Sequence, residues 1–570
     1  MFLPTTLEEV YNRGWKELDV ILISGDTYID SSFNGSAVVG KYLVSKGYKV
    51  GIIAQPDIKS GNDIIRLGEP KLFWGVSAGC VDSMVANYTA LKKRRNSDDF
   101  TPGGVNNRRP DRAVIKYSNL IKQYFKGTKP IVLGGIEASL RRISHYDYWD
   151  DIIRKSILFD AKADYLIYGM GELSILEIAE KLRDGEKCDD IRGICRIGKE
   201  IPEGYIEIPT HEEVKENKNK FIDAFNIFYM NNDFFTAKGL AQKQDTRYLI
   251  QNPPQRVLTQ KEIDDVYNLD YERAVHPYYA KDGVVKALDT IRYSITTHRG
   301  CYGECNFCAI AVHQGRTVVE RSEDSIVKEA ENFTKDKNFK GYISDAGGPT
   351  ANMYGIECEK KKKEGSCKHK RCLYPSKCPL LKGNHSKITK LLKRLSKIDK
   401  VKKVFVASGI RYDLIMSDSE CGIRYLQEIV ENHVSGQMKI APEHTDPKIL
   451  SIMGKPESEV LNRFKDKFYE MNKKAGLKQF LTYYLIAAHP GCSDKDMQKL
   501  KEYSAKELKI TPEQVQIFTP TPSTYSTLMY YTEINPFTKE KMFVEKGVKE
   551  KERQKFILTG QDRVRGGKRR

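Results

Sequence analysis

The chain has 570 residues and carries 94 lysines and arginines against 76 aspartates and glutamates, a net charge of +18. Its hydrophobic content of 40% and mean hydropathy of -0.53 predict a globular protein, and no apolar run approaches the about 20 residues that a membrane span needs. The first residues, MFLPTTLEEVYNRGW, lack the basic start and apolar core of a signal peptide. We therefore expect a cytoplasmic protein without a membrane partner.

The first third of the chain predicts a parallel α/β sheet. A strand-like run at 19–23, a helical stretch at 34–46 and a second strand at 50–54 form a β-α-β unit. Strand-like runs follow at 72–76, 131–133 and 165–168, and each leads into a turn rich in glycine or serine. We expect a Rossmann-like N-terminal domain over residues 1–214 and a polar connector over 215–290.

A second alternating pattern begins near residue 291. Six strand-like runs, separated by charged helical stretches, lie at 292–297, 341–344, 404–407, 437–440, 480–486 and 515–518. They predict a partial (β/α)6 barrel over residues 291–535, with its chemistry at the carboxyl ends of the strands. The basic tail at 536–570 is predicted to be disordered, and its charge and that of the whole chain make RNA a candidate partner.

Seven of the twelve cysteines fall within residues 301–378, a clustering that favours metal ligation over disulfides. Three of them, Cys301, Cys305 and Cys308, occur in GCYGECNFCAI with the spacing C-x3-C-x2-C, directly after the first strand-like run of the barrel. A structural zinc site or an ordinary cubane cluster takes four protein ligands. Three ligands leave one position open, and an open position is typical of a catalytic metal site.

This triplet resembles the signature of the radical S-adenosylmethionine (radical SAM) superfamily. The longer motifs narrow the resemblance to the uncharacterised YgiQ-type family of that superfamily. These motifs are SGDTYID, GIIAQPD, GGIEASLRRISHYDYW, ISDAGGPTANMYG, SGIRYD, KIAPEHT and QIFTPTPST, and together they cover most of residues 15–535.

The resemblance implies that the three thiolates hold a 4Fe-4S cluster whose fourth iron binds S-adenosylmethionine. One electron, from a donor such as flavodoxin or ferredoxin, would then break the sulfonium bond and give a 5′-deoxyadenosyl radical. It also implies that the cofactor meets residues at later strand ends, where Pro349 stands in place of the family's usual acid. These expected cofactor-binding residues are Gly347, Gly348, Ser408, Arg411, Lys439 and Glu443.

A second group of cysteines lies in a basic insertion at 356–380. Cys358, Cys367, Cys372 and Cys378 are numerous enough to close a metal site of their own. We expect an auxiliary 4Fe-4S cluster there, because the segment follows the Gly-Gly turn of the barrel. Zinc is the alternative.

The N-terminal domain resembles that of cobalamin-dependent relatives, whose signature D-x-H-x-x-G supplies a histidine to cobalt. Tyr28 stands where that histidine would be, so we expect no cobalt ligand from this motif. Cobalamin bound without that histidine, another ligand and no cofactor stay open, and cobalamin is the less favoured of these. The leading hypothesis is a radical SAM enzyme acting on an unknown substrate, with RNA or protein modification as a candidate. The alternative is a non-catalytic, zinc-bearing protein that binds nucleic acid. The pattern of residues names neither the substrate nor a further catalytic residue.

Overall fold

The computed structural model describes residues 1–560, and its N-terminal half is built on one nine-stranded sheet. In spatial order the strands are Ile206–Ile208, Leu240–Gln244, Arg247–Gln251, Ile194–Gly198, Tyr165–Ile167, Ile131–Gly134, Phe73–Ser77, Val20–Ser24 and Val50–Ala54. The last five pair in parallel. Their order reverses between Val20–Ser24 and Phe73–Ser77, which is the point where open α/β sheets bind ligands.

Helices cover both faces of this sheet. The helices of the N-terminal half are Leu7–Tyr11, Gly35–Ser45, Ser83–Asn87, Ala113–Tyr124, Gly135–Leu140, Ile157–Asp160, Glu172–Arg183, His211–Glu216, Lys218–Met230, Gln260–Tyr267, Pro277–Ala280 and Ala287–Ile291. The helix predicted at 34–46 begins after Asn34, whose side chain accepts hydrogen bonds from the backbone N–H groups of Ser36 and Ala37.

The barrel strands of the second half pair in parallel, in the predicted order along the chain. They are Ser294–Thr296, Tyr342–Ile343, Asp345–Gly347, Lys403–Val404, Gln437–Glu443, Phe480–Ala487 and Val515–Ile517. A separate antiparallel pair is formed by His298–Arg299 and Val319–Glu320. An isolated parallel bridge between Ile410 and Ile440 joins the segment after the strand Lys403–Val404 to the strand Gln437–Glu443. The predicted fold class, a Rossmann-like sheet followed by a partial (β/α)6 barrel, is confirmed, whereas the exact domain limits stay a prediction.

The helices of the second half surround this barrel and bury a core of their own. They are Ile310–His313, Glu323–Phe333, Glu359–Glu364, Ser386–Ser396, Tyr412–Ser417, Gly422–Asn432, Pro447–Met453, Ser458–Lys474, Asp494–Tyr503, Tyr525–Thr532 and Val548–Thr559. None of the helices within residues 1–560 combines the length and apolar character required to cross a membrane.

The structure differs from the prediction in the region expected to be a connector. Residues 240–251 form two antiparallel strands that extend the N-terminal sheet. The pattern was hidden because buried glutamines face the core there. The side-chain oxygens of Gln242 and Gln244 accept hydrogen bonds from the backbone N–H groups of Ser144 and Ser156, at 2.9 and 3.0 Å.

The predicted disorder of the tail is wrong for residues 536–560, while residues 561–570 lie outside the described part of the chain. The helix Val548–Thr559 packs against the helix Asp494–Tyr503. Its Lys551 is buried, and the ammonium group donates to the hydroxyl of Tyr530 at 2.7 Å. The basic composition of this segment predicted a solvated tail. The prediction failed because the sequence does not distinguish a lysine that is buried beside tyrosines from a solvated one.

Gln554 fixes this helix to the barrel through two buried hydrogen bonds. Its side chain accepts from the backbone N–H of Ala488 at 2.9 Å and donates to the carbonyl of Cys492 at 3.1 Å. We expect Gln554→Ala to lower the free energy of unfolding by about 2 kcal/mol, because both backbone groups lose their partner. Urea denaturation measures this, with exposed Lys549→Ala as the control; equal stability of the two variants would contradict a docked helix.

Candidate active site

The cysteine triplet begins at the carboxyl end of the first barrel strand. Gly300 precedes it with φ +86°, and a side chain at this position would collide with the carbonyl oxygen of Thr317. The loop then folds on itself, because the backbone N–H of Gly303 donates to the sulfur of Cys301 at 3.4 Å and that of Cys308 donates to the carbonyl of Cys305 at 3.0 Å. This turn places the three thiols in one neighbourhood.

Positive charge stands beside these thiols. A guanidinium nitrogen of Arg411 lies 3.5 Å from the sulfur of Cys305, and the same group is held by the carboxylate of Asp413 at 2.6 and 2.8 Å. The pKa of the Cys308 thiol is raised to about 12, first by burial and then by the neighbouring Cys305 and Cys301. A bound cationic metal reverses that preference and holds thiols as thiolates, so a soft three-sulfur set with a nearby guanidinium fits an iron–sulfur cluster.

Two glutamates near the triplet have left-handed backbone, which is uncommon for residues other than glycine. Glu304, between Cys301 and Cys305, has φ +47°, and Glu443 has φ +69°. The pKa of Glu443 is raised by its burial, and the cations of Lys455 and Arg411 oppose that rise. Backbone of this kind persists only where its surroundings fix it, and it is common at functional sites.

The Gly-Gly turn and Ser408 also meet at the strand ends. A side chain on Gly347 would touch Ser408 at 3.1 Å, and one on Gly348 would collide with the ring of His298 at 2.7 Å. The hydroxyl of Ser408 donates to the carboxylate of Asp345, which also accepts from the backbone N–H of Ser408 at 3.1 Å. Asp345, four residues before Pro349, is thus the carboxylate that holds Ser408 at this strand end.

Lys439 lies beside the segment that carries Ser408 and Arg411, because its backbone carbonyl accepts from the N–H of Ile410 at 3.4 Å. It lies half-buried on the strand Gln437–Glu443 beside Thr482, and within residues 1–560 its ammonium group makes no hydrogen bond or ion pair. Arg411 and Glu443 approach the triplet, and Gly347, Gly348 and Ser408 line a cavity. Their roles toward a cofactor stay predictions.

This cavity, of about 520 Å³, lies between the carboxyl ends of the N-terminal sheet and those of the barrel. Its walls are mostly apolar and rich in glycine, and they include Gly134, Gly169 and Gly347. Two buried polar atoms in the walls, Oε2 of Glu172 and Nε2 of His298, have no hydrogen-bond partner in the described residues. Such atoms are costly to bury alone, so the cavity is suited to a ligand that supplies their partners.

Glu172, His298, Arg299 and Asp345 are the cavity residues that sequence reasoning missed as site residues. Each lies in a turn that follows a strand-like run of the sequence: GMGE, THRGC or DAGGPT. Those turns were a usable signal for the position. They gave no signal for the ion pair between Arg299 and Glu172, which are 127 residues apart.

The four cysteines of the insertion line one small cavity of about 30 Å³, together with Glu304 of the triplet loop. The backbone N–H of Cys378 donates to the carbonyl of Cys372 at 2.8 Å, which closes the last turn. Across residues 1–560, no three His, Cys, Asp or Glu side chains form a ready-made site for a metal ion. The structure thus brings the four residues to one place, while the metal they hold stays a prediction.

Two family models match the chain: "Radical SAM N-terminal" over residues 2–294 and "Radical SAM superfamily" over residues 295–503. A UPF0313 protein of Fusobacterium nucleatum is 62% identical over 559 residues, which cover 98% of both chains. A UPF0313 protein of Thermotoga maritima is 50% identical, covering 97% of this chain and 98% of the relative. The resemblance to the YgiQ-type radical SAM proteins is confirmed by these matches.

Two solved structures share the fold at low sequence identity. The radical SAM methyltransferase TsrM from Kitasatospora setae, with cobalamin and a [4Fe-4S] cluster bound, matches 90% of this chain and 77% of its own at a TM-score of 0.53 and 14% identity. The cobalamin-dependent radical enzyme OxsB with aqua-cobalamin bound matches 92% of this chain and 57% of its own at 0.51 and 13%. At these identities the likeness concerns the fold.

Burial of His298 makes the stability of the fold depend on pH. The side chain is fully buried, and burial lowers its pKa to about 4, so the folded protein keeps it neutral. The unfolded chain binds a proton near pH 6.5, and the folded state therefore loses stability as the pH falls through the window from 6.5 to 4. This one residue contributes a loss of about 2 kcal/mol between pH 7 and pH 5.

We expect His298→Gln to reduce the loss of unfolding free energy between pH 7 and pH 5 by that amount. Urea denaturation at both pH values measures it. The exposed His369→Gln is the matched control and should follow the unaltered protein. An unchanged pH dependence in His298→Gln would show that His298 is not kept neutral by the fold.

Proposed function

Because the chain belongs to the UPF0313 family of the radical SAM superfamily, whose members are enzymes, we propose that Cys301, Cys305 and Cys308 bind a 4Fe-4S cluster for the reductive cleavage of S-adenosylmethionine. The observation that carries the proposal is the set of three neighbouring thiols at the end of the first barrel strand, with Arg411 beside Cys305. Three protein ligands leave one iron available to the cofactor. When bound, the reduced cluster supplies one electron that breaks the sulfonium C–S bond and yields methionine and a 5′-deoxyadenosyl radical.

We assign the neighbouring residues to holding S-adenosylmethionine. The backbone of Gly347 and Gly348, which lines the cavity, suits the approach of the amino group, because neither position carries a side chain. Arg411 offers a guanidinium to the carboxylate of the cofactor, and Asp345 fixes Ser408 at the opposite edge. Glu443, buried near Arg411, is positioned for a polar contact with the cofactor. Lys439 stays in the set because its backbone carbonyl accepts from the N–H of Ile410, between Ser408 and Arg411.

The substrate site proposed here is the cavity between the two sheets. It reaches Gly347, Gly348 and Ser408 on the barrel side, so a group inside it lies beside the proposed cofactor. The net charge of +18 supports RNA or protein as the molecule that presents this group. Comparing modified RNA, proteins and metabolites by mass spectrometry, in cells with and without this chain, tests the substrate class.

Cobalamin is a further candidate for this cavity because both structural neighbours bind it. Tyr28, which replaces the expected histidine, is fully buried away from the cavity lining, and its hydroxyl donates to Asp30 at 3.1 Å. This contact supports the prediction that no histidine from that motif binds cobalt. Cobalamin could also bind without a histidine ligand, and the contact of Tyr28 does not test that. Measuring the cobalt content of protein prepared with cobalamin decides it.

All twelve cysteines are free thiols in the structure, which supports a reducing compartment and the predicted cytoplasmic location.

The alternative predicted from the sequence, a non-catalytic protein that carries zinc and binds nucleic acid, is not supported by the family match. An acceptable donor for the required electron is a flavodoxin or a ferredoxin.

Replacement of one triplet cysteine tests the cluster directly. We expect protein reconstituted without oxygen to hold about four irons at this site and to form 5′-deoxyadenosine on reduction. Cys305→Ala should lose this iron and its nucleoside formation, because two thiolates cannot retain the cluster. Cys421→Ala, outside both cysteine groups, is the control. Nucleoside formation by Cys305→Ala at the level of the unaltered protein would refute the assignment.

We also propose that Cys358, Cys367, Cys372 and Cys378 hold an auxiliary 4Fe-4S cluster. Their shared cavity supports a common site, and the basic residues around it offset thiolate charge. Four sulfur ligands suit zinc equally well in number, so metal content decides between them.

The double variant Cys367→Ala/Cys372→Ala separates these outcomes. With an auxiliary cluster, the variant should lose about four irons and keep those of the triplet. Loss of about one zinc with unchanged iron would support zinc instead. Unchanged content of both metals, measured by plasma mass spectrometry, would contradict any metal at the insertion.

A further inference from the structure

We propose that the basic insertion is the docking surface for an acidic one-electron carrier protein. The surface, called the insertion patch below, consists of Lys363, Lys368 and Lys370 around Cys367 and Leu380. The proposal rests on the proposed function, since it names where the required electron enters. It goes beyond that function because neither the triplet nor the cavity between the sheets predicts a partner surface.

The insertion patch carries positive charge that its own neighbours leave uncompensated. On the helix Glu359–Glu364, Lys362 pairs with Glu359 at 2.9 Å and Lys360 approaches Glu364 at 3.8 Å. The three patch lysines are exposed and form no ion pair within the described residues. Uncompensated charge on one face steers a partner of opposite charge and raises its rate of encounter.

The insertion patch also contains an apolar and a sulfur group. Leu380 is 50% exposed, although it lines the same small cavity as Lys370 and Cys367. The residue Cys367 is exposed as well. A small apolar centre inside a charged rim is the composition of transient complexes for electron transfer, which bury less than about 1,200 Å².

Two arginines tie the insertion to the triplet loop. Arg371 donates to the backbone carbonyl of Glu304 at 3.1 Å and to the side-chain oxygen of Asn306 at 2.7 Å. Arg316 pairs with the carboxylate of Glu304 at 2.8 Å and donates to the carbonyl of Cys367 at 3.0 Å. A carrier seated on the insertion patch is therefore one layer of side chains away from the triplet.

Tyr302 fills that layer. Its ring is fully buried, and Cys301 of the triplet and Cys372 and Cys378 of the insertion all pack against the cluster around it. The ammonium group of Lys361 lies 5.0 Å from the ring centre. These packed side chains connect the two cysteine groups through one buried cluster, in which the hydroxyl of Tyr302 has no hydrogen-bond partner within residues 1–560.

The electron count of the step is simple. The reduced flavin or iron–sulfur centre of the carrier is oxidised by one electron, and the triplet cluster is reduced by one electron. No bond forms or breaks and no proton moves. The carrier needs an acidic face and a low reduction potential, as flavodoxins and ferredoxins have.

RNA is the competing partner for a basic surface. The position of the patch favours the protein carrier. Its lysines lie near exposed Cys367, which belongs to the cysteine group next to the triplet loop, and near the apolar residue Leu380. Nucleic-acid surfaces interleave basic residues with exposed aromatic rings that stack on bases, and Phe235, which is 46% exposed, lies against Gly365 of the insertion. RNA binding is accordingly an outcome that the test must distinguish.

The test compares two triple variants with equal changes of charge. The patch variant is Lys363→Glu/Lys368→Glu/Lys370→Glu, and the control variant is Lys59→Glu/Lys126→Glu/Lys129→Glu, which reverses exposed lysines of the N-terminal domain. An acidic bacterial flavodoxin is the probe, and its Kd for the cluster-loaded protein is measured by flavin fluorescence at low and high salt. Leu380→Ser tests the apolar centre separately.

We expect the patch variant to weaken flavodoxin binding about tenfold or more at low salt, and the control variant to change it less than about twofold. The rate of cluster reduction by flavodoxin should fall in parallel. Nucleoside formation driven by dithionite is compared in Lys363→Glu/Lys368→Glu, which keeps Lys370 beside the insertion cysteines, and in the control variant. Both should equal the unaltered protein, because a small chemical reductant needs no docking surface.

Equal flavodoxin affinities of the patch and control variants would overturn the docking proposal. So would a patch variant that loses binding of a polyuridine oligomer while it keeps that of flavodoxin. Absence of nucleoside in the unaltered protein even with dithionite would instead overturn the proposed function. The Kd of flavodoxin is measured independently of turnover, so the two failures are distinguishable.

Discussion

A buried ion pair between Arg299 and Glu172 holds the two halves of this protein in register. Arg299 ends the segment that leads into the cysteine triplet, and Glu172 begins a helix that follows the last parallel strand of the N-terminal sheet. The guanidinium also donates to the hydroxyl of Tyr267 at 3.0 Å. Removing one member of a buried pair leaves the other charge unpaired at a cost of about 3–5 kcal/mol. The position of the triplet relative to the cavity depends on this contact.

One cavity serves both sheets. Open parallel sheets and parallel barrels both gather ligand-binding groups at the carboxyl ends of their strands. The ion pair spans these two edges, and a shared apolar core that includes Leu140 and Phe518 also joins them, so the Gly-rich turns of the first sheet line one cavity with Gly347 and Gly348 of the barrel. If the proposed reaction takes place at the barrel edge, the apolar walls of this cavity would keep water and competing hydrogen donors away from its radical.

Much of this arrangement follows from local sequence, and the exceptions have physical causes. The strands of both parallel sheets are short apolar runs, and the triplet and Gly-Gly turns follow them directly, so their positions were predictable. The pair Gln242 and Gln244 was missed because amides that bond buried backbone groups look like loop residues. The ion pair between Arg299 and Glu172 was missed because contact over 127 residues depends on tertiary packing.

The largest gap between sequence and structure concerns the insertion. As a run of lysines and cysteines it reads as a separate appendage, yet Glu304 within the triplet accepts from Arg371 of the insertion and pairs with Arg316. Glu304 is buried and has left-handed backbone, so its place is fixed by these partners and not by local preference. The carboxylate of Glu304 is tolerated beside the triplet because Arg316 pairs with it, while Arg371 of the insertion donates to the backbone carbonyl of the same residue. The triplet loop and the insertion are therefore one hydrogen-bonded unit, in which Arg371 of the basic segment holds the loop it follows.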